Sequence, residues 1–215
     1  MNNEDALKHL EKLAENPALD MGANAAIGHH EEEGEYIYRI LSGLVMQCHY
    51  AEDGERQVCR VFRPGDLIGL ETVVEPGLSL ISETLTPTVL MRIPVARIRM
   101  AQATNPELQQ AILRLLAREV VDGYNWKVNL GTGSAMRRIC RFLLWSAKDD
   151  HCPLPTRDKL GSIIATTTET ASRMIADLRR QGVLRKSRSR PSTVVIDRDR
   201  VRQKAGDFWD HRAAR

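Results

Sequence analysis

The sequence predicts an α+β fold: an N-terminal antiparallel β-roll of the jelly-roll type, a long helix and a C-terminal winged helix-turn-helix follow one another along its 215 residues. Three observations support this prediction. Short, apolar, β-branched segments alternate with turn signals between positions 36 and 94. A helical pattern then runs from 106 to 130, interrupted at Glu119 and Gly123. Finally, two short helices at a tight corner precede a basic hairpin. We therefore divide the chain into a β-roll domain (1–104), a long helix (105–131) and a winged helix-turn-helix domain (132–215).

The predicted roll consists of short strands separated by turns. The turn signals are Ser42-Gly43, Asp53-Gly54, Pro64-Gly65-Asp66 and Pro76-Gly77. Many short strands at such spacing favour an antiparallel barrel or jelly roll. The predicted strands are YIYRIL, LVMQCHY, RQVCRVF, DLIGL, SLISETLT and VLMRIP.

The long helix begins at Asn105-Pro106, where asparagine is a good N-cap and proline suits the first helical position. It continues to the GTGS segment at 131–134, which we interpret as a hinge. A helix of this length either pairs with its copy in a symmetric dimer or packs only on its own roll. The apolar stripe alone does not decide between these alternatives. Its members are Leu108, Ile112, Leu115, Trp126 and Leu130, with Leu116 and Val120 beside it.

The stretch PTRDKLGSIIATTTETASRMIADLRRQGVL reads as two helices joined at a corner. Thr156 is a suitable N-cap for the first helix, and Thr166 with Glu169 fits a capping box for the second. Gly182 ends the second helix. Four apolar residues of this helix are expected to face inward: Ala171, Met174, Ile175 and Leu178.

Glu169, Ser172 and Arg173 lie at positions i, i+3 and i+4, so their side chains share one face of the second helix. The first turns of such a helix meet base edges in the major groove. Arginine pairs with guanine, glutamate accepts from cytosine, and serine serves either role. We predict that this trio reads bases, while a second set contacts phosphates, partly through a basic wing hairpin. That set is Thr166, Thr168, Arg185, Lys186, Arg188 and Arg190.

The ordinary interpretation of Glu169 is a helix cap, and that of Arg173 is a solvated charge. It does not explain the charge distribution along the chain. Residues 151–215 carry 15 Lys and Arg against 7 Asp and Glu, whereas residues 1–150 carry 16 against 21. A basic end on an otherwise acidic chain indicates that this end approaches a polyanion, here double-stranded DNA.

Several protein classes are disfavoured by the sequence. The sequence contains no apolar run of about 18 residues, so we expect no membrane span. The polar N-terminus does not resemble a signal peptide. Four cysteines without a C-x-x-C pair predict a reduced, cytoplasmic protein. No G-x-S-x-G, P-loop, H-E-x-x-H or dinucleotide fingerprint is present, so we expect no enzymatic activity.

The segment TRDKLGSIIATTTETASRMIADLRRQGVL resembles the DNA-binding module of the Crp/Fnr family of bacterial transcription regulators. SGLVMQCHYAEDGERQVCRVFRPGDLIG is similar to that family's cyclic-nucleotide-binding-like roll, and NPELQQAILRLLARE to the start of its dimerisation helix. Glu169, Ser172 and Arg173 match the Fnr-type E-x-x-S-R pattern. The resemblance implies a homodimer that reads a palindrome of TTGAT-like half-sites and contacts RNA polymerase at promoters. Operator position then decides between activator and repressor.

Two departures from the family bear on the signal. Members that bind cyclic nucleotides clamp the phosphate with a Gly-Glu segment and an arginine. Here no Lys or Arg lies between Arg63 and Arg92, while four residues in that interval are acidic. We therefore expect no binding of cAMP or cGMP. Oxygen-sensing members hold a [4Fe–4S] cluster on N-terminal cysteines, but none precedes Cys48, so such a cluster is not expected.

The signal itself is left open by the sequence. Cys48 and Cys59 flank the Asp53-Gly54 turn symmetrically, and across a suitable hairpin they would be candidates for a redox pair. The alternative is two reduced thiols of ordinary packing. His29, His30 and His49 are candidate haem or metal ligands, although solvated loop histidines are the more common case. A further alternative is a constitutive regulator that responds to no signal. An alternative of another class is a cyclic-nucleotide-responsive regulatory module of an enzyme or channel.

Overall fold

The computed structural model describes residues 1–28, 34–54, 56–75, 80–188 and 192–207. It confirms the predicted α+β fold class, with antiparallel sheets followed by a long helix and a helix-turn-helix. The chain divides into two compact units, Met1–His49 with Val61–Asp122 and Tyr50–Arg60 with Gly123–Arg215. The boundary between the units lies inside the long helix. Our three-part division at residues 104 and 131 stays an interpretation.

Two four-stranded sheets form the β-roll. The first contains Leu19–Met21 (β1), Tyr36–Ser42 (β3), Leu67–Ile68 (β6) and Thr88–Pro94 (β8), in the order β1-β8-β3-β6. The second contains Ala26–Ile27 (β2), Val45–Tyr50 (β4), Arg56–Phe62 (β5) and Ile81–Thr84 (β7), in the order β2-β7-β4-β5. Pairs β1–β8, β3–β8, β3–β6, β2–β7 and β4–β7 are antiparallel.

All six strands predicted for the roll are present, and among its described strands the sequence missed the very short β1 and β2. Alternating residues of the strands point into a shared apolar core, as period-2 side-chain alternation requires. Because this interior is filled by large side chains, burial of apolar surface holds the two sheets together. The core residues are Tyr38, Ile40, Val45, Phe62, Ile68 and Leu90.

Two short helices flank the roll, Asn3–Lys12 (α1) and Val95–Thr104 (α2), together with a 3₁₀ turn at Leu70–Val73. The side chain of Asn2 caps α1 by accepting from the backbone of Asp5 at 2.8 Å. Helix α2 was not predicted, since its sequence VARIRMAQAT contains only two residues that become buried. These elements share a second apolar cluster with the start of the next helix.

The long helix, Pro106–Gly131 (α3), begins where predicted, and the Asn105 side chain accepts from the backbone N–H of Leu108 at 3.0 Å. It has two apolar faces. The stripe identified in the sequence is mostly buried, for Leu108, Ile112 and Leu115 pack in the chain's own core. A second stripe is left exposed, and it consists of Leu113, Val120, Val121, Tyr124 and Val128.

The C-terminal unit contains Ala135–Ser146 (α4), Arg157–Ile163 (α5), Thr168–Arg180 (α6) and Arg198–Ala205 (α7). A three-stranded sheet of order β10-β11-β9 is made of His151–Pro153 (β9), Leu184–Lys186 (β10) and Thr193–Ile196 (β11). The predicted wing hairpin is β10–β11, with Arg185 opposite Val195. Strand β9 and helix α7 were not predicted. In the described part of the chain, no helix is both long and apolar enough to cross a membrane.

The 131–134 segment, interpreted from sequence as a hinge, is held by two arginines of α4. Arg141 is 6% exposed and donates to the carbonyls of Asn129 and Thr132 at 3.1 and 3.0 Å. It also donates to the Ala205 carbonyl at 3.1 Å, which joins the ends of α3 and α7 to α4. Arg138 donates to the Gly133 carbonyl at 2.5 Å. Hydrogen bonds from charged donors therefore fix this joint in the described conformation.

Candidate nucleic-acid interface

The corner between α5 and α6 is closed by close backbone contact. A Cβ atom at Gly161 would lie 2.8 Å from the carbonyl oxygen of Thr166 and 3.2 Å from the carbonyl carbon of Thr167. The Thr166 N–H donates to the Gly161 carbonyl at 2.8 Å. Ala165 adopts a φ of 49°, which reverses the chain. The corner therefore needs a residue without a side chain at position 161.

Arg138 supports the same corner from outside. Its guanidinium donates to the carbonyls of Ile164 at 2.8 Å and Ala165 at 3.2 Å. These carbonyls follow the end of α5, where helical partners are missing, so the arginine satisfies groups that would otherwise need water. Nothing in the local sequence identified Arg138 for this role, since its partners lie 26 and 27 positions along the chain.

Helix α6 is capped by Thr167, whose Oγ1 accepts from the backbone N–H of Thr170 at 3.2 Å. The predicted cap, Thr166 in a capping box with Glu169, was therefore wrong by one residue. The physical reason is that the Thr166 backbone closes the turn on Gly161, which leaves the next threonine to begin the helix. Thr156 occupies the predicted cap position of α5, but its side chain makes no capping hydrogen bond.

The inward and outward faces of α6 follow the predicted pattern. Ala171, Ile175 and Leu178 are buried, while Met174 is half-buried. On the other side, Glu169 and Arg173 are exposed and Ser172 is half-buried. Small Ala176 extends this face, so the helix presents three polar side chains with little bulk around them. Such a face can enter a major groove and place donors and acceptors near base edges.

The described residues of the predicted phosphate-contacting set lie next to the start of α6 and in the wing. Thr168 is exposed and Thr166 is half-buried, both at the start of α6. In the wing, Arg185, Lys186 and Arg188 are all exposed. Arg190 lies outside the described residues.

A further cation, Arg157, begins α5. Burial and then the nearby charge of Arg179 lower the pKa of its guanidinium. Two arginines that lie close enough for their charges to interact create a positive surface, which favours a phosphate nearby.

The candidate sensing residues have distinct surroundings. Cys48 is buried and its thiol donates to the Ile81 carbonyl at 3.6 Å, whereas Cys59 is exposed and donates to the Gln57 carbonyl at 3.8 Å. Their pairing stays a prediction. Burial raises the pKa of the Cys140 thiol to about 11 and that of the Cys152 thiol to about 12, so neither forms a reactive thiolate near neutral pH.

The histidine candidates are not brought together by the described structure. His29 and His30 lie outside the described residues, while His49 is exposed at the end of β4. Within the described ranges, no group of three or more His, Cys, Asp and Glu side chains is placed to hold a metal ion. Haem or metal binding stays a prediction for these positions.

Two family models match this chain. A model of the Crp-like helix-turn-helix domain matches residues 137–204, which contain the corner, α6 and the wing. A model of the cyclic nucleotide-binding domain matches residues 20–105, which contain the β-roll. The first match lies in the second structural unit, and most of the second match lies in the first unit.

Curated relatives are similar to most of the chain. An "Anaerobic regulatory protein" of Pasteurella multocida is 25% identical over 158 residues, which make up 69% of this chain and 58% of that protein. The match thus spans less than two thirds of that relative's length. The "Transcriptional regulator LdrP" of Thermus thermophilus is 29% identical over 164 residues, 71% of this chain and 80% of that protein.

A solved structure is also similar to this chain. FixK2 from Bradyrhizobium japonicum superposes with a TM-score of 0.74 at 25% sequence identity. The superposition covers 90% of this chain and 100% of the FixK2 chain. The order of the roll, the long helix and the winged helix-turn-helix is therefore that of a known architecture.

Proposed function

Because the chain belongs to the Crp/Fnr family of bacterial transcription regulators, we propose that it is a homodimer that binds a palindrome of TTGAT-like half-sites. Each recognition helix α6 enters a major groove, where Arg173 pairs with guanine, Glu169 accepts from cytosine and Ser172 contacts a neighbouring base. The exposed cations of the wing contact phosphates. The protein acts as a regulator rather than as an enzyme.

The observation that carries this proposal is the composition and exposure of the outer face of α6. The three reading residues share one side of the first turns, and Ala171, Ile175 and Leu178 on the other side are buried. A capping role no longer accounts for Glu169, since Thr167 caps the helix. Its exposed carboxylate is thus available to accept a hydrogen bond from a base.

The dimer is supported by the second stripe of α3. Tyr124 is 66% exposed, and Leu113, Val120 and Val128 are each more than half exposed at helical spacing. Such a stripe is costly in water and suits pairing with the same helix of a second copy. An isologous contact of this kind gives the twofold symmetry that a palindrome requires.

Contact with RNA polymerase and a cytoplasmic location are parts of the same proposal. They rest on the function of the family, since a promoter-bound regulator acts where DNA and polymerase are found. We further propose that the chain belongs to an Fnr-like subgroup without the N-terminal cluster cysteines. The regulator either responds to a redox or gas signal or is constitutive and controlled by its own abundance.

The experiment is selection of bound duplexes from a random pool, with and without oxidant. We expect enrichment of an inverted repeat whose half-sites resemble TTGAT. Substitution of Arg173 by alanine should flatten the preference at one guanine position. A pool that stays random after selection would contradict the proposal. Different enrichment in the oxidised sample, together with a linked Cys48–Cys59 peptide in mass spectrometry, would support the redox alternative.

A second candidate is regulation by a cyclic nucleotide, favoured by the domain model that matches residues 20–105. The region that carries the phosphate clamp in binding members here contains the buried Asp66 and the exposed Glu71 and Glu75. Carboxylates repel a cyclic phosphate instead of donating to it. We therefore expect calorimetry with cAMP and cGMP to give no heat of binding at micromolar concentrations. A micromolar dissociation constant would favour this second candidate.

A further inference from the structure

The β4–β5 hairpin places an arginine against the first helix of the helix-turn-helix. Residues Tyr50–Arg60 belong to the same compact unit as the DNA-binding helices. The Nη2 atom of Arg56 donates to Oδ2 of Asp158 at 2.7 Å and to Oγ of Ser162 at 2.8 Å. One guanidinium nitrogen therefore joins two successive turns of α5.

The two side chains of this contact differ in their exposure to solvent. The Arg56 side chain is only 16% exposed, whereas that of Asp158 is 66% exposed. Burial alone would lower the pKa of the Arg56 guanidinium, but Asp158 and Tyr50 together raise it above its ordinary value. The arginine is thus held in its charged form beside a carboxylate that faces solvent.

The position of that carboxylate matters because the first helix of a helix-turn-helix crosses the DNA backbone. Asp158 is the second residue of α5 and lies in its first turn. An exposed carboxylate at this end repels phosphates unless a cation cancels its charge. Its chain neighbour Arg157 interacts with the charge of Arg179. Arg56 supplies such a cation within hydrogen-bonding distance of Asp158.

We propose that Arg56 is a positioning residue for DNA binding, which holds α5 and neutralises Asp158 where this helix approaches the phosphate backbone. The inference rests on the proposed function, since it presumes that α5 and α6 dock on DNA. It adds a residue from the β4–β5 hairpin to an interface whose other members all lie after residue 150. Arg56 acts through Asp158 and Ser162 and needs no contact with DNA of its own.

The test measures affinity of the full-length protein for its selected duplex by fluorescence anisotropy at low and high KCl. Arg56→Ala should weaken binding roughly ten-fold at low salt, as expected for loss of a charge-assisted interaction. The loss should shrink at high salt, because screening weakens the repulsion between Asp158 and phosphate. Arg56→Gln, which keeps hydrogen-bonding capacity without charge, should lose about as much as the alanine variant.

The rescue variant distinguishes neutralisation from a purely structural role. Asp158→Asn alone should bind as tightly as the unmodified protein or more tightly. The double variant Arg56→Ala/Asp158→Asn should recover most of the affinity that Arg56→Ala loses. A merely structural arginine would not be rescued in this way, because asparagine does not replace the missing guanidinium. Arg60→Ala, which removes the same charge from the same strand, is the matched control and should change affinity less than about two-fold.

Several outcomes would overturn the inference while leaving the proposed function intact. These are unchanged or tighter binding by Arg56→Ala, normal binding by Arg56→Gln, or a double variant as weak as Arg56→Ala. Thermal denaturation of each variant shows whether weak binding comes from unfolding. If Arg56→Ala does not fold, Asp158→Asn alone still tests the charge effect. Failure of the unmodified protein to prefer any duplex would instead overturn the proposed function itself.

Discussion

Gly161 shows how one residue determines the position of helix α6, which carries the proposed base-reading residues. Its Cα faces the carbonyl of Thr166, and the distance available to a Cβ, 2.8 Å, is shorter than side chains tolerate. The atoms in the way belong to the backbone of the corner, so relief requires a shift of the start of α6 itself. A substitution here therefore acts on the placement of Glu169, Ser172 and Arg173 as well as on stability.

We expect Gly161→Ala to lower the free energy of unfolding by about 1–3 kcal/mol, the usual cost of overpacking a tight site. Urea denaturation followed by circular dichroism measures this difference. Gly123→Ala is the matched control, since nothing lies within 4 Å of a Cβ at that position in α3. Alanine should stabilise that helix by up to about 1 kcal/mol. Equal effects of the two substitutions would contradict the assignment of the close contact to Gly161.

Arg173 and Arg188 are both exposed arginines of the C-terminal unit, yet they should contribute to different properties. Arg173 lies on the reading face of α6, where a bidentate contact with guanine is worth roughly 1–3 kcal/mol. Arg188 follows β10 in the wing, where a phosphate contact carries no sequence information.

Arg173→Ala should therefore weaken binding to the selected duplex by roughly 1–3 kcal/mol and leave binding to unrelated DNA nearly unchanged. Arg188→Ala should weaken binding to all sequences alike and reduce the slope of log affinity against log salt by about 1. Anisotropy titrations with specific and unrelated duplexes at several salt concentrations separate the two effects. Retained site preference in Arg173→Ala would show that the base-reading assignment is wrong.

At the scale of elements, α3 has two apolar faces, one packed and one exposed. The periodic stripe that the sequence made obvious packs into the chain's own core, as for Leu108, Ile112 and Leu115. The face proposed for the dimer contains Val120, which the sequence placed beside the first stripe, together with valine and tyrosine residues that look unremarkable in sequence. A core contact and a dimer contact both select apolar residues, so the sequence does not separate them. Only the burial of the first stripe reveals that the second has no partner within the described part of the chain.

Val120→Glu tests that face. A carboxylate placed between two paired apolar helix faces would be buried without compensation. We therefore expect the dissociation constant of the dimer to rise at least ten-fold. Analytical ultracentrifugation measures the monomer–dimer equilibrium directly. Met100→Glu, at an apolar residue of α2 that is 74% exposed, is the control and should leave the equilibrium unchanged. A Val120→Glu protein that stays dimeric would place the interface elsewhere.

The elements that the sequence predicted well are those with local signals. The capping asparagine, the glycine after α6 and the strand-turn alternation each depend on neighbours in the chain. The missed features depend on distant partners. Strand β9 exists because His151, Cys152 and Pro153 pair with β11, about 40 residues later. Arg141 is recognisable as a structural residue only once α3 and α7 lie beside it.

The choice of cap for α6 had a different cause. Thr166, Thr167 and Thr168 are chemically equivalent cap candidates, and only the capping-box spacing to Glu169 favoured Thr166. The corner ranks them, because the contact between Thr166 and Gly161 leaves Thr167 as the residue at the helix start. Tertiary closure of a turn thus decides a detail that local propensity leaves degenerate.

At the scale of the whole molecule, the chain separates two kinds of surface by charge. Residues 151–215 are strongly basic and the first 150 residues are net acidic. We therefore expect a polyanion to be attracted to the basic segment 151–215, so that electrostatic steering orients the protein before specific contacts form. Twofold pairing of such molecules presents two basic units to one duplex, which converts two weak contacts into one strong one.

The spacing of half-sites tests the proposed dimer as a whole. A dimer of helix-turn-helix units places its recognition helices about 34 Å apart, one turn of DNA. Insertion of about five base pairs between the half-sites rotates one of them to the opposite side of the duplex, where the second helix does not reach it. We expect affinity for such DNA to fall to that for a single half-site, and anisotropy with the two duplexes measures the loss. Val120→Glu should bind both duplexes equally weakly, because a monomer is indifferent to spacing. Equal affinity of the unmodified protein for the two duplexes would contradict simultaneous reading by two helices.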